Sequence, residues 1–350
     1  MTTTTDQQDR RLRGERGGTV RPTKPALLVV ALLHVVGGVL VVVATSTVAD
    51  AGYVVGLGVT AYLLGARHAF DADHIAAIDN ATRKLSFESR PSSTVGFWFS
   101  LGHSTVVIAT VALLLVGVGV FFDAVNDEQS ALRQALGYWG ATVSLAFVIV
   151  FGCLNLVGLL RLTRSRRRGG TATDTGSRSG VAAPVSMLLR PFAHLVDRPA
   201  RMYIVGLLFG LGFDTAATIG LFVTAGAASA AVSWQIAVAM PLLFTAGMCL
   251  FDFLDGMVMT RMYAWSGARE DRRRRYDIVI TALSVAAAFV VAAISVVTLS
   301  AELSGSSFEL PAPADWLGFA IVAVFLLTWL LAALSRAALS RRRHRPHPAR

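Results

Sequence analysis

The chain has 350 residues, of which 54% are hydrophobic and only 15% charged. A soluble domain typically carries roughly 25% charged residues, so an ordinary soluble protein, a disordered chain and a collagen-like chain are all excluded. Two cysteines, Cys153 and Cys249, exclude a disulfide scaffold, and the meaning of the net charge of +10 depends on where the charge sits.

Residues 1–24 form a polar, basic tail with the composition of a disordered segment. Eight apolar stretches follow, near 25–49, 53–76, 94–122, 136–160, 202–226, 234–259, 278–300 and 315–335. A helix needs about 20 apolar residues to cross a hydrocarbon core of roughly 30 Å. The nearly charge-free interval 215–251 is too long for the end of one helix, and its Ala/Ser-rich middle at 227–233 is the expected turn. The first apolar run, about 25 residues, exceeds the roughly 7–15 of a cleaved signal core and is read as a retained span. Continuous hydropathy, without the alternation of a β-barrel, predicts helices, which satisfy their backbone groups internally in lipid. The expected fold is therefore an all-α, multi-pass membrane protein. Its bundle covers 25–338, with a basic loop at 161–201 that is disordered over 164–180, and a basic tail follows at 339–350.

Charge sets the orientation. If eight spans alternate, 30 of the 32 Lys and Arg lie on one side, in the N-terminal tail, in 77–93, 161–201 and 260–277, and from Arg336 onward. Arg133 lies opposite and Arg67 within a span, while Asp50, Asp123, Asp127, Glu128, Glu302, Glu309 and Asp315 occupy the opposite loops. The positive-inside rule then predicts cytoplasmic termini in a cell-membrane protein. The basic charge is a topology signal; the expected partner is the lipid bilayer, not nucleic acid. The chain contains no G-x-x-x-x-G-K-[ST] motif, so it encodes no ATPase subunit of its own.

Ionisable residues at membrane depth cost about 2.5–3.5 kcal/mol each on insertion scales, and their default reading is functional. Five of them fall within eight residues at the end of the second span, Arg67-His68-Ala69-Phe70-Asp71-Ala72-Asp73-His74. On a regular helix His68, Asp71 and His74 fall within an arc of about 120°. Two imidazoles and a carboxylate on one face make a nitrogen/oxygen site for nickel, cobalt or zinc. Asp73 points away on such a helix, and is expected either to pair with Arg67 or to cap an irregular turn. His103 and Ser104 lie about eight residues, or roughly 12 Å, inside the third span, where His103 is a candidate ligand or a support to one. Asp214 falls near the middle of the fifth span, and Asp252 and Asp255 share a face of the sixth. His34 and Cys249 are expected to be structural, Cys249 as a small buried hydrophobe.

The same elements hint at duplication. Phe70-Asp71 precedes Gly102-His103 by 32 residues, and Phe213-Asp214 precedes Gly247-Met248 by 34. Equivalent spans run in opposite directions, the pattern of an inverted repeat, which in transporters places the site at the repeat interface.

With these residues assembled, the chain resembles the nickel/cobalt transporter (NiCoT) family of membrane permeases. The family signature RHA-[VF]-DADHI is matched in full at residues 67–75, and the GHSTVV pattern at 102–107. The fifth-span motif LGFDTATE is met at 211–216, with Ala217 and Thr218 in place of Thr and Glu. In the sixth-span pattern GMxxxDTxD, covering 247–255, Phe253 replaces Thr. The resemblance implies uptake of Ni²⁺ or Co²⁺ by a single-component secondary permease, with the metal as substrate and no resident cofactor. Carried over, it makes His68, Asp71, Asp73, His74 and His103 metal ligands, with Arg67, Ser104, Asp214, Thr215, Asp252 and Asp255 along the transport path. Two alternatives stand beside it. Efflux by a similar architecture is disfavoured by the lack of a His-rich loop, since 161–201 holds only His194. An intramembrane metal enzyme would need a substrate-handling part, and the sequence offers no evident nucleophile beyond Ser104.

Overall fold

The computed structural model describes residues 24–48, 50–88, 90–115, 130–167, 196–211, 234–264, 270–304 and 316–343. These residues are all-helical, and the helices are α1 (Lys24–Thr45), α2 (Ala51–His68), α3 (Ala72–Phe87), α4 (Val95–Leu115) and α5 (Ala131–Arg167). A 3₁₀ turn at Pro199–Arg201 leads into α6 (Met202–Gly210), followed by α7 (Trp234–Ala264), α8 (Glu270–Ser304) and α9 (Leu317–Arg343).

Among the described residues, five segments are long and apolar enough to cross a membrane: Lys24–Thr45, Val95–Ala112, Gln134–Leu160, Trp234–Tyr263 and Tyr276–Ala301. Pro199–Gly210 and Leu317–Leu331 are shorter apolar helices. The expected fifth span is described only to Leu211, and the turn at 227–233 lies outside the described residues, as do the N-terminal tail through residue 23 and the loop 168–195. One expectation needs correction. The second span is not one helix over 53–76: it stops at His68 and a new helix starts at Ala72. The first half of the segment 77–93 belongs to the body of that new helix, α3, and is largely buried.

The sequence of α3 explains its burial. Ile75, Ile78, Ala81 and Leu85 recur at helical spacing and are fully enclosed. Asp79, Asn80, Thr82 and Arg83 are enclosed too, so they require partners on neighbouring helices. The Tyr263 hydroxyl of α7 donates to Asp79 and lies 3.2 Å from Ser284 of α8. Arg83 donates to the Ile280 carbonyl of α8 at 3.4 Å, with its guanidinium 5.2 Å from the Tyr263 ring centre. Asn155 of α5 donates to Asn80. These bonds tie α3 to α5, α7 and α8 in the middle of the bundle.

Around this centre α7 packs on α1, α2, α3 and α4, and α6 packs on α4. Close approach depends on glycine. A Cβ on Gly65 of α2 would sit 2.0 Å from the Phe244 carbonyl oxygen of α7, and one on Gly247 of α7 would sit 2.4 Å from that of Tyr62. In the α4–α6 pair, a Cβ on Gly206 would sit 1.8 Å from the Phe99 carbonyl oxygen, and one on Gly102 would sit 1.9 Å from that of Tyr203. The two pairs of contacts interconvert when α2 is exchanged for α6 and α4 for α7. Tyr62 then falls on Tyr203, Gly65 on Gly206, Phe99 on Phe244 and Gly102 on Gly247.

Candidate metal site

The break after α2 builds the site. Phe70 N–H donates to the Arg67 carbonyl at 2.9 Å and Asp71 N–H to that of His68 at 3.0 Å, closing the last turn. Asp71 then adopts extended backbone, φ −64° and ψ 139°, at the N-cap of α3. Aspartate at this position ordinarily accepts a backbone N–H of the first turn, but here its side chain makes no capping bond. Its Oδ2 lies instead 2.5 Å from His68 Nδ1. Asp73 takes over at the helix start: its Oδ1 accepts the His74 N–H at 2.9 Å, and its Oδ2 accepts the Ser144 hydroxyl of α5 at 3.0 Å. A carboxylate there also sits at the positive end of the helix dipole. These bonds are those of a group at the helix start, the second of the two expectations for Asp73.

That cluster is His68, His74 and His103. The ring centres are 4.6 Å apart for His68–His74, 5.0 Å for His68–His103 and 4.9 Å for His74–His103. One ligand atom from each residue lies within 4.8 Å of the others, and His68 Nε2 is 3.2 Å from His103 Nε2. With metal–nitrogen bonds of about 2.0–2.1 Å, donors around one ion stand about 3.0–3.4 Å apart. The triangle therefore needs only small closure to grip an ion.

Two of the three imidazoles have a carboxylate behind them. Asp71 at Nδ1 of His68 leaves Nε2 turned to the centre, the arrangement in which an outer carboxylate fixes tautomer and ring orientation. Asp252 of α7, fully buried, has Oδ2 3.8 Å from His74 Nδ1, within ion-pair reach. The site thus draws His68, His74 and His103 from α2, α3 and α4, and Asp252 from α7.

The surroundings are lopsided. On one side the Asp71 and His68 side chains are 42% and 15% exposed. On the other, the His74 ring packs edge-on against Phe99 of α4 and Phe209 of α6, at centroid distances of 4.8 and 6.4 Å. Phe244 of α7 lies 5.8 Å from the His68 ring.

The other candidates lie around this centre. Arg67 is exposed at the end of α2, and Ser104 is fully buried beside His103. Asp255, one turn beyond Asp252, has its Oδ2 buried without a hydrogen-bond partner among the described residues. Asp214 and Thr215 lie outside the described residues. Cys249 packs among Ala26, Val30, Phe97 and Phe253, and His34 Nδ1 donates to the Val30 carbonyl at 2.7 Å, so both stand as structural groups. Sequence reasoning missed the polar interior of α3. The signal was there in Asp71 as a helix start and in the apolar spacing of Ile75, Ile78 and Leu85.

A family model described as high-affinity nickel-transport protein matches residues 54–335. Nickel transporter NicT of Mycobacterium tuberculosis is 39% identical over 323 residues, covering 87% of this chain and 86% of the relative. Nickel transporter NixA of Staphylococcus aureus is 39% identical over 320 residues, covering 89% and 93%. Cobalt transport protein NhlF of Rhodococcus rhodochrous is 37% identical over 319 residues, covering 87% and 89%. No solved structure matches the chain.

Proposed function

The chain belongs to the family of high-affinity nickel-transport proteins, and from that premise we propose that it takes up Ni²⁺ or Co²⁺ across the cell membrane as a single-polypeptide permease. The observation that carries this reading is the convergence of His68, His74 and His103 on one point between helices, with carboxylates behind two of them. Imidazole suits nickel and cobalt. A divalent ion moving inward gains about 4.6 kcal/mol per 100 mV, twice the value for one elementary charge, so the membrane potential alone supplies a drive.

In this reading the three imidazoles hold the ion through Nε2. Asp71 and Asp252 orient His68 and His74 and offset the ion's charge. Asp255, Asp214, Thr215 and Ser104 line the onward route, and Arg67 balances charge at the exposed side. The exchange of α2 for α6 and of α4 for α7 supports an inverted repeat, with the ion at the interface between halves, where a broken helix places its ends. Eight spans with both termini cytoplasmic complete the proposal.

The test is accumulation of radiolabelled nickel and cobalt in cells producing the chain. Accumulation above cells lacking it, abolished by His68→Ala, His74→Ala and His103→Ala in membrane-inserted protein, is expected. No accumulation of either metal by the unaltered chain, once inserted, would overturn the reading.

A further inference from the structure

Three imidazoles explain why nickel binds but leave open how the site refuses the far commoner Mg²⁺, which could enter with its water shell and lean on Asp71. We infer that Phe99, Phe209 and Phe244 form a dry wall that sets selectivity by denying the ion water on its inner side. This inference rests on the transport reading above.

The wall is built from three helices. Phe99 meets the His74 ring at 4.8 Å and the His103 ring at 6.3 Å. Phe209 packs on Phe99 at 5.2 Å and reaches His74 at 6.4 Å. Phe244 lies against His68 at 5.8 Å from the other flank. At exposures of 0%, 5% and 2% the three rings are themselves shut off from solvent, so the faces they turn to the imidazoles are apolar. Among the described residues of the cluster and its carboxylates, His68 and Asp71 are the ones open to solvent, at 15% and 42% exposure.

An ion seated among the three Nε2 atoms must therefore exchange its inner waters for nitrogen. Nickel and cobalt accept that exchange, because imidazole is a good ligand for them. Mg²⁺ demands near-octahedral oxygen coordination and dehydrates reluctantly, so a site with a phenyl wall in place of water offers it too few partners. Apolar shells around metal sites control solvent access in this way. The duplicated packing adds a detail: Phe99 and Phe244 occupy equivalent places in the two halves, so the wall closes on the histidines from both.

The experiment measures nickel uptake against added Mg²⁺ and Mn²⁺ for Phe209→Ser and Phe244→Ser, with Phe209→Leu and Phe244→Leu as apolar controls. The serine variants admit water, and Mg²⁺ is expected to inhibit their uptake at concentrations roughly ten-fold lower than in the unaltered chain, whereas the leucine variants keep their discrimination. Serine variants that are inserted and take up nickel with unaltered Mg²⁺ and Mn²⁺ discrimination would overturn the inference. Leucine variants that lose discrimination as fully as serine would overturn it too, since ring packing rather than dryness would then be at work. If a serine variant fails to reach the membrane, Phe209→Tyr, which keeps the ring and adds one hydroxyl, is read by the same criteria. Failure of the transport reading itself is separate, showing as absent nickel and cobalt accumulation in the unaltered chain.

Discussion

Asp71 holds the N-cap position of α3 and leaves the capping to Asp73, so the two carboxylates of one short motif have different work. Asp71 serves His68 at 2.5 Å, while Asp73 serves the backbone of His74 and the hydroxyl of Ser144. Replacing a carboxylate that orients a metal-binding imidazole ordinarily costs about 10–100-fold in affinity. Asp71→Asn and Asp252→Asn are accordingly expected to raise the half-saturating nickel concentration by about that factor, where His68→Ala or His74→Ala abolishes uptake. Concentration–uptake curves, normalised to inserted protein, check this; abolition by Asp71→Asn as complete as by His68→Ala would instead make Asp71 a direct ligand. The histidines were readable in the sequence because two imidazoles at membrane depth demand a reason. The division of labour between Asp71 and Asp73 was not, because a regular helix places Asp71 and His74 on one face and hides the break at Ala69–Phe70 that creates the N-cap.

At the scale of elements, helix α3 is what the sequence concealed. Hydropathy separates lipid-facing helices from water, and the body of α3 faces neither: Asp79, Asn80 and Arg83 are paired inside the protein. Arg83, counted among cytoplasmic charges, is fully buried beside Tyr263 and the Ile280 carbonyl. Tyr263→Phe removes the hydroxyl donor to Asp79, and a buried group losing its partner costs about 1–3 kcal/mol. A lower unfolding midpoint of the detergent-purified protein is expected, by several degrees. The helix seams give a sharper contrast. A Cβ at Gly206 would overlap the Phe99 carbonyl oxygen at 1.8 Å, while one at Gly38 meets nothing within 4 Å. Gly206→Ala must push α6 from α4, at about 1–3 kcal/mol or more for overpacking; Gly38→Ala gains helix propensity at no steric cost. Thermal unfolding in detergent should fall for the first and hold or rise for the second. The matched packing of the two helix pairs was half legible: two dipeptide spacings pointed to it, but Gly65 with Gly206 and Gly102 with Gly247 acquire meaning only once each glycine is seen against the opposite helix.

For the whole molecule, the topology turns on whether α3 crosses the membrane. Charge alternation needs eight crossings, with α2 the second and α3 none. Helix α3 spans only Ala72–Phe87, about 24 Å at 1.5 Å per residue, short of a core of roughly 30 Å. It carries Asp73, Asp79, Arg83 and Lys84 in 16 residues, whereas the candidate span Trp234–Tyr263 carries Asp252, Asp255 and Arg261 in 30. Lys84 extends to the Val196 carbonyl at 2.6 Å and pairs with Glu88 at 3.2 Å, so the far end of α3 meets the polar turn ahead of α6. That turn belongs to the Arg-rich 161–201 segment, expected in the cytoplasm. In the topology expected from charge, helix α3 therefore enters the bundle from the cytoplasmic side and stops at the histidine cluster. In that expected topology the count of crossings stays even and the C-terminus inside, even with Arg83 removed from the basic tally. A reporter enzyme active only outside the membrane should be silent when fused after Arg350 and active when inserted after Asp127. Activity after Arg350 would mean that the crossings are odd in number; α3 would then be a span, and the histidine cluster would sit between two crossings rather than at the tip of a helix reaching up from the cytoplasm.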